Sequence, residues 1–245
     1  MPPLPRKWPH PNPCRPRSPA APKPLPDVNP QAARIHAALP QTQCTRCGFP
    51  DCAAYAQAIA CEEAPINQCP PGGAQGIARL TALTGHPPLP LNPIHGTETP
   101  RAMAVIDEAW CIGCTLCIAA CPTDAILGSN KLMHTVIEPY CTGCELCLPV
   151  CPVDCIAMLP VTGERTGWDA WSPAQADEAL ARYQARGQRL ARHEIEHQDR
   201  LEQKALAKLA DLPAHTHGAQ GAEAERKRAV IEAALARARA RKNAA

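Results

Sequence analysis

One sixteen-residue pattern constrains this chain more than any other feature, and it occurs twice. The stretch 111–126, CIGCTLCIAACPTDAI, returns 30 residues later at 141–156 as CTGCELCLPVCPVDCI. Each copy spaces its cysteines C-x2-C-x2-C-x3-C-P. The first holds Cys111, Cys114, Cys117 and Cys121 before Pro122, the second Cys141, Cys144, Cys147 and Cys151 before Pro152. Thiols at i, i+3 and i+6 of one tight loop reach three corners of an iron–sulfur cube, and the fourth corner takes a thiolate from elsewhere. Structural zinc prefers paired C-x2-C knuckles joined by a longer loop, so a duplicated triple run would waste ligands on it. Val105-Ile106 and Val136-Ile137 read as strands ahead of the copies, each followed by an aromatic, Trp110 or Tyr140. Gly113 and Gly143, lacking a Cβ, are expected to let backbone amides approach the sulfurs. Two copies predict a pseudo-twofold domain, because a solenoid needs at least three.

The run resembles that of bacterial two-cluster ferredoxins, whose fourth cysteine ligates the other cluster. The resemblance implies one [4Fe–4S] cluster on Cys111, Cys114, Cys117 and Cys151 and a second on Cys141, Cys144, Cys147 and Cys121. A further group lies upstream, with Cys44, Cys47 and Cys52 in C-x2-C-x4-C spacing and Cys69-Pro70 following. Spacing alone leaves a cubane, a zinc site or a [2Fe–2S] centre open there, and Cys61 competes with Cys69 as fourth ligand. Cys61 falls on an expected helix and Cys155 at the repeat position of Ala125, so both are read as packing cysteines. Cys14 reads as an exposed thiol.

Only 3% of the residues are aromatic, thin material for a large core, and small domains short of core need another staple. The fifteen cysteines supply it. Met1 to Lys7 contains no apolar stretch of the secretory kind, and no window approaches the roughly 18 apolar residues of a membrane span. Cytosolic thiols stay reduced, so clustered cysteines there read as metal ligands. The expected location is the cytoplasm, including the cytoplasmic face of the inner membrane. Charge is segregated. Residues 1–43 carry six Lys/Arg against one Asp, residues 44–173 five against twelve Asp/Glu, and residues 174–245 fourteen against ten. An acidic body between basic ends admits peripheral membrane association by electrostatics.

The expected order begins with a proline-rich basic arm, 1–28, holding eleven prolines. Asn29-Pro30 starts a helix that stops before Pro40. A helical cluster domain spans 29–85, with helices over 53–63 and 74–83, the latter ending at Gly85. Residues 86–100, with five prolines, read as a linker, and 101–160 as the ferredoxin-like domain. Ser172-Pro173-Ala174-Gln175 is a capping box opening a long polar helix to about 210. A loop at 213–222 and another Ala/Arg-rich helix complete a tail over 172–245. The fold class is α+β: a small helical cluster domain, then a two-cluster ferredoxin-like domain, with flanking extensions.

The segment CTRCGFPDCAAYAQAIACEEAPINQCPPGG, Cys44 to Gly73, resembles the iron–sulfur domain of the B subunit of Rnf/Rsx-type electron transport complexes, which likewise precedes a two-cluster ferredoxin domain. The resemblance covers about residues 40–160. It implies a third [4Fe–4S] cluster on Cys44, Cys47, Cys52 and Cys69, favours Cys69 over Cys61, and implies redox partners among the other subunits of such a complex. The basic arm stands where family members carry a hydrophobic anchor, and the tail lies outside the shared core. The alternatives are a stand-alone soluble ferredoxin-like carrier and a redox-responsive interaction module without complex membership. A nucleic-acid module is disfavoured, because acidic residues interleave through 174–210 with no helix-turn-helix or stacking-aromatic pattern. No nucleotide fingerprint marks a substrate site either. Gly72-Gly73-Ala74-Gln75-Gly76 lacks the G-x-G-x-x-G register.

Overall fold

The computed structural model describes residues 29–212 and 221–244. The expected arm 1–28, with Cys14, and the loop residues 213–220 lie outside the described residues. The described residues divide into two units, one ending at Gly187 and one beginning at Gln188.

The larger unit opens with three helices. Helix α1 (Pro30–Ala38) starts where Asn29 accepts a hydrogen bond from the Gln31 amide at 3.0 Å. Helix α2 (Cys52–Ala60) is capped by Asp51, which accepts from Ala54 N at 2.7 Å. Helix α3 (Gly73–Thr84) ends at Gly85, whose left-handed φ of +76° closes the helix without Cβ strain. Their apolar faces meet in a core of Ile35, Leu39, Tyr55, Ile59, Ile66, Ile77 and Leu80. Helix α2 is shorter than expected because the chain turns at Glu62, with φ +59°. Cys61 therefore caps the helix and is exposed, which corrects its reading as a packing cysteine.

The proline-rich stretch 86–100 is pinned along its length. Asn92 N donates to Asn67 O at 2.9 Å, His95 Nδ1 lies 3.0 Å from Arg46 O, and Glu98 accepts from Ala74 N at 2.8 Å. Beyond it come β1 (Ala102–Ile106), α4 (Leu116–Ala120), β2 (Ile126–Leu127), β3 (Thr135–Val136) and β4 (Ile156–Pro160). Strand β1 pairs antiparallel with β4, from Ala102↔Pro160 to Ile106↔Ile156, and β2 pairs with β3. The fold is thus a mixture of helices and two small two-stranded sheets.

Equivalent contacts recur at the 30-residue shift with the copies exchanged. Asp107 N donates to Cys155 O at 2.8 Å and Ile137 N to Ala125 O at 2.7 Å. Ile106 faces Ile156 as Val136 faces Ile126. Left-handed backbone falls at Gly113, Thr115 and Asp124 and again at Gly143, Glu145 and Asp154. Trp168 and Trp171 pack with Ala176 and Ala179, and the Trp171 indole N–H donates to Pro40 O at 2.8 Å.

Helix α5 (Pro173–Ala210) begins at the expected capping box, where Gln175 N donates to Ser172 Oγ and Ser172 N to the Gln175 side chain. In the second unit, α6 (Ala222–Ala244) includes Arg239, paired with Glu202 at 2.7 Å. Among the described residues no helix is long and apolar enough to cross a membrane.

Candidate functional site

The first thiol group is built on a curled loop. Gln41, Gln43 and Thr45 take left-handed conformations (φ +57°, +53° and +59°), turning successive peptides through a tight arc. Two glutamines, nearly fully buried, hold the arc, since Gln43 Nε2 donates to Gln41 Oε1 and Cys52 N donates to Gln43 Oε1, both at 3.0 Å. Cys44, Cys47 and Cys52 are buried there and Cys69 is half-buried. Cys69 arrives from the other side on a loop clamped by Tyr55, whose hydroxyl donates to Pro65 O at 2.8 Å and accepts from Gln68 N at 3.1 Å. Burial pushes the Cys69 thiol well up, and the neighbouring Cys52, Cys44 and Cys47 push it further. Burial likewise raises Cys52 to about 12. Cys61 does not join this group; its sulfur accepts from Gln57 Nε2 at 3.1 Å.

The second group combines three cysteines of the second copy with one of the first. Cys121, Cys141, Cys144 and Cys147 line one cavity together with Ala104 and Ala125. Amides point at its sulfurs, Ala104 N to Cys141 Sγ at 3.4 Å and Ala125 N to Cys121 Sγ at 3.2 Å. Desolvation, then the adjoining thiols, push Cys144 and Cys147 up to about 12.

The third group is its counterpart. Cys117 is raised by burial and then by nearby Cys114 and Cys111. Cys155 lies beside Cys111 and stands 3.5 Å from Cys151, sulfur to sulfur. Cys151 is drawn down despite some desolvation, because the amides of Val153, Cys155 and Asp154 and the Cys155 thiol all donate to it. Cys155 packs against the core, as expected, and also touches sulfur. His134, 1% exposed, sets Nδ1 3.3 Å from Cys117 Sγ and Nε2 3.3 Å from Ser129 O. Sequence reasoning passed over His134; the signal was its place opposite Ala104 when the copies are superposed.

Both expected glycines have left-handed φ, +67° at Gly113 and +70° at Gly143. A Cβ at Gly113 would lie 2.6 Å from the Leu132 backbone, and one at Gly143 would strike the Ala102 carbonyl. These donor sets fit iron–sulfur clusters. They are all-thiol groups of four with amide N–H groups aimed at sulfur, and the buried thiols that are raised, Cys47, Cys52, Cys69, Cys117, Cys144 and Cys147, favour thiolates only beside strong positive charge such as iron. Among the described residues no three His, Cys, Asp or Glu side chains converge on a single ion-sized point.

The first and second groups adjoin. Thr142 Oγ1 donates to Thr42 O at 3.0 Å, and Arg46 pairs with Glu145 at 2.6 Å. The contacts join residues 42 and 46, on the loop that carries Cys44 and Cys47, to residues 142 and 145 of the Cys141–Cys147 loop.

A 4Fe-4S dicluster domain family matches residues 104–158, and an Fe-S cluster family matches residues 39–71. Curated relatives are each named as the B subunit of an ion-translocating oxidoreductase complex. The protein of Thiobacillus denitrificans is 59% identical over 140 residues, 57% of this chain and 74% of that one. That of Azoarcus sp. is also 59% identical over 140 residues, covering 57% and 76%. That of Alkalilimnicola ehrlichii is 56% identical over 153 residues, covering 62% and 81%. No solved structure matches the chain significantly.

Proposed function

Because the chain belongs to the family of B subunits of ion-translocating oxidoreductase complexes, we propose that it relays electrons through three [4Fe–4S] clusters, working within such a complex. Such clusters, when bound, each accept and release an electron at a potential set by hydrogen bonds, charge and exposure. The ligand sets in this reading are Cys44, Cys47, Cys52 and Cys69; Cys121, Cys141, Cys144 and Cys147; and Cys111, Cys114, Cys117 and Cys151.

The observation that carries the reading is the joining of adjacent thiol loops by Thr142–Thr42 and Arg46–Glu145. It supports a series in which the upstream group faces the Cys141 loop, and the exchanged fourth cysteine ties that loop to the Cys111 loop. The contacts that recur with the copies exchanged support a pseudo-twofold ferredoxin domain over 101–160. The proposed organisation adds a helical cluster domain over 29–85, a connection over 86–100 and a tail over 172–245, with the basic arm at 1–28. Partners are redox proteins, foremost the other subunits of the complex. The acidic body would steer them through a basic docking surface in a salt-sensitive way. The proposed place of work is the cytoplasmic face of the inner membrane, approached through the basic segments.

Anaerobic iron and acid-labile sulfide analysis, with EPR of the reduced protein, tests the reading. About twelve irons per chain are expected from three four-iron centres, and iron is lost from Cys117→Ala and Cys147→Ala. Colourless or zinc-filled wild-type protein sinks it.

A further inference from the structure

Superposed at the 30-residue shift, the two copies differ where side chains meet cysteine sulfur. His134 stands opposite Ala104 and Cys155 opposite Ala125. Both polar members fall on one group. His134 Nδ1 lies 3.3 Å from Cys117 Sγ, and the Cys155 sulfur 3.5 Å from Cys151 Sγ. The backbone amides at 125 and 155 reach Cys121 and Cys151 alike, so that contribution is common to both groups.

The other group has polar neighbours too, Thr142 beside Cys144 and Thr123 Oγ1 3.9 Å from Cys121 Sγ, but each of these hydroxyls has a carbonyl in closer reach for its proton. Thr142 gives its single hydroxyl proton to Thr42 O at 3.0 Å, and Thr123 gives its own to Tyr140 O at 2.8 Å. Arg101 directs Nη1 to the Cys141 carbonyl at 3.0 Å. Side-chain protons directed at sulfur therefore gather on the Cys111 loop and its fourth cysteine. At His134 both ring nitrogens face acceptors, Cys117 Sγ and Ser129 O. An anionic sulfur is a stronger acceptor than a carbonyl, which favours a ring proton on Nδ1.

Hydrogen bonds to ligand sulfur spread negative charge and favour the more negative, reduced cluster, which raises its potential. Resting on the cluster reading above, we propose that His134 and Cys155 are positioning residues. Acting through Cys117 and Cys151, they raise the potential of the cluster on Cys111, Cys114, Cys117 and Cys151 and leave its twin unshifted. That contribution moves the electron toward the cluster that lacks the Thr42–Thr142 link to the upstream group, at the far end of the series.

EPR-monitored redox titration of the full, anaerobically reconstituted chain tests this. His134→Leu and Cys155→Ala are each expected to lower the same single midpoint potential and leave the others in place, with Cys155→Ser restoring part of the shift. In wild-type protein labelled with 15N-histidine, hyperfine spectroscopy of the reduced state is expected to show an imidazole nitrogen coupled to one cluster. That coupling is lost in His134→Leu and kept in Cys155→Ala. Should His134→Leu fail to hold iron, Cys155→Ala carries the test, since alanine already occupies the matching position 125. Full iron with unmoved potentials overturns this inference alone, as does loss of four irons from Cys155→Ala, which would make Cys155 a ligand. Wild-type protein without clusters overturns the reading beneath it.

Discussion

Removing one oxygen atom from Tyr55 should loosen the upstream cluster and no other. Tyr55 is 1% exposed, and its hydroxyl links Pro65 O at 2.8 Å and Gln68 N at 3.1 Å, the two backbone groups that steer Cys69 toward Cys44, Cys47 and Cys52. Tyr55→Phe keeps the ring, including its packing against Phe49 at 5.4 Å between centroids, so packing is largely preserved. It strands a carbonyl and an amide. Each buried polar group left unpaired costs about 1–3 kcal/mol, and with some water access the pair should cost about 3 kcal/mol. That loss is local to the 61–69 loop. Iron leaves this group when the loop opens, so its release follows the opening equilibrium. At about 1.4 kcal/mol per tenfold, release should quicken roughly a hundredfold. The assay is anaerobic transfer of iron to a coloured chelator, followed over time. About four of the irons should leave early in Tyr55→Phe while the remainder follow the wild-type curve. Superimposable curves, or equal acceleration of all the iron, would refute the reasoning.

Gly143→Ala should cost the Cys141 loop its cluster, because a left-handed residue adds about 1–3 kcal/mol of strain and the new Cβ meets the Ala102 carbonyl; full iron content refutes this. Gly187→Ala, on α5 with nothing within 4 Å of the added Cβ, should stabilise the helix by up to about 1 kcal/mol, read from urea unfolding, and destabilisation would contradict it. Arg46→Met breaks a partly exposed pair (28% and 46% side-chain exposure), so it should change unfolding free energy by under about 1 kcal/mol and less in high salt; a loss of several times that would show that the contact is worth more than its exposure allows. Burial holds His36 below its ordinary value of 6.5, against the opposing pull of Asp51 and Gln41. The unfolded chain therefore takes up a proton first, and stability should fall as pH drops through 6.5 until the lower folded value is passed. His36→Gln should lose this dependence, and a slope of opposite sign in the wild type counts against it.

Much of the chemistry is legible in linear order because it is local. Spacings such as Cys111-Cys114-Cys117 are fixed by a few residues of loop, and a helix start such as Asn29-Pro30 or Ser172-Gln175 needs only its own turn. The 30-residue repeat also announced Gly113 and Gly143, whose left-handed backbone belongs to the loop itself. What lies across the fold was not readable in the same way. Cys61 looked like a core cysteine until the chain turned at Glu62 and left it exposed. Residues 86–100 read as a linker, yet their hydrogen bonds to Asn67, Arg46 and Ala74 come from partners over twenty residues away. Which cysteine joins which group, and which of them meets His134 or Cys155, depends on strands that bring distant positions side by side. Sequence determined the cysteine spacing and the loop that presents it, because both are short-range. Tertiary structure decided the neighbours of each sulfur, because hydrogen bonds act over about 3 Å in space regardless of separation along the chain.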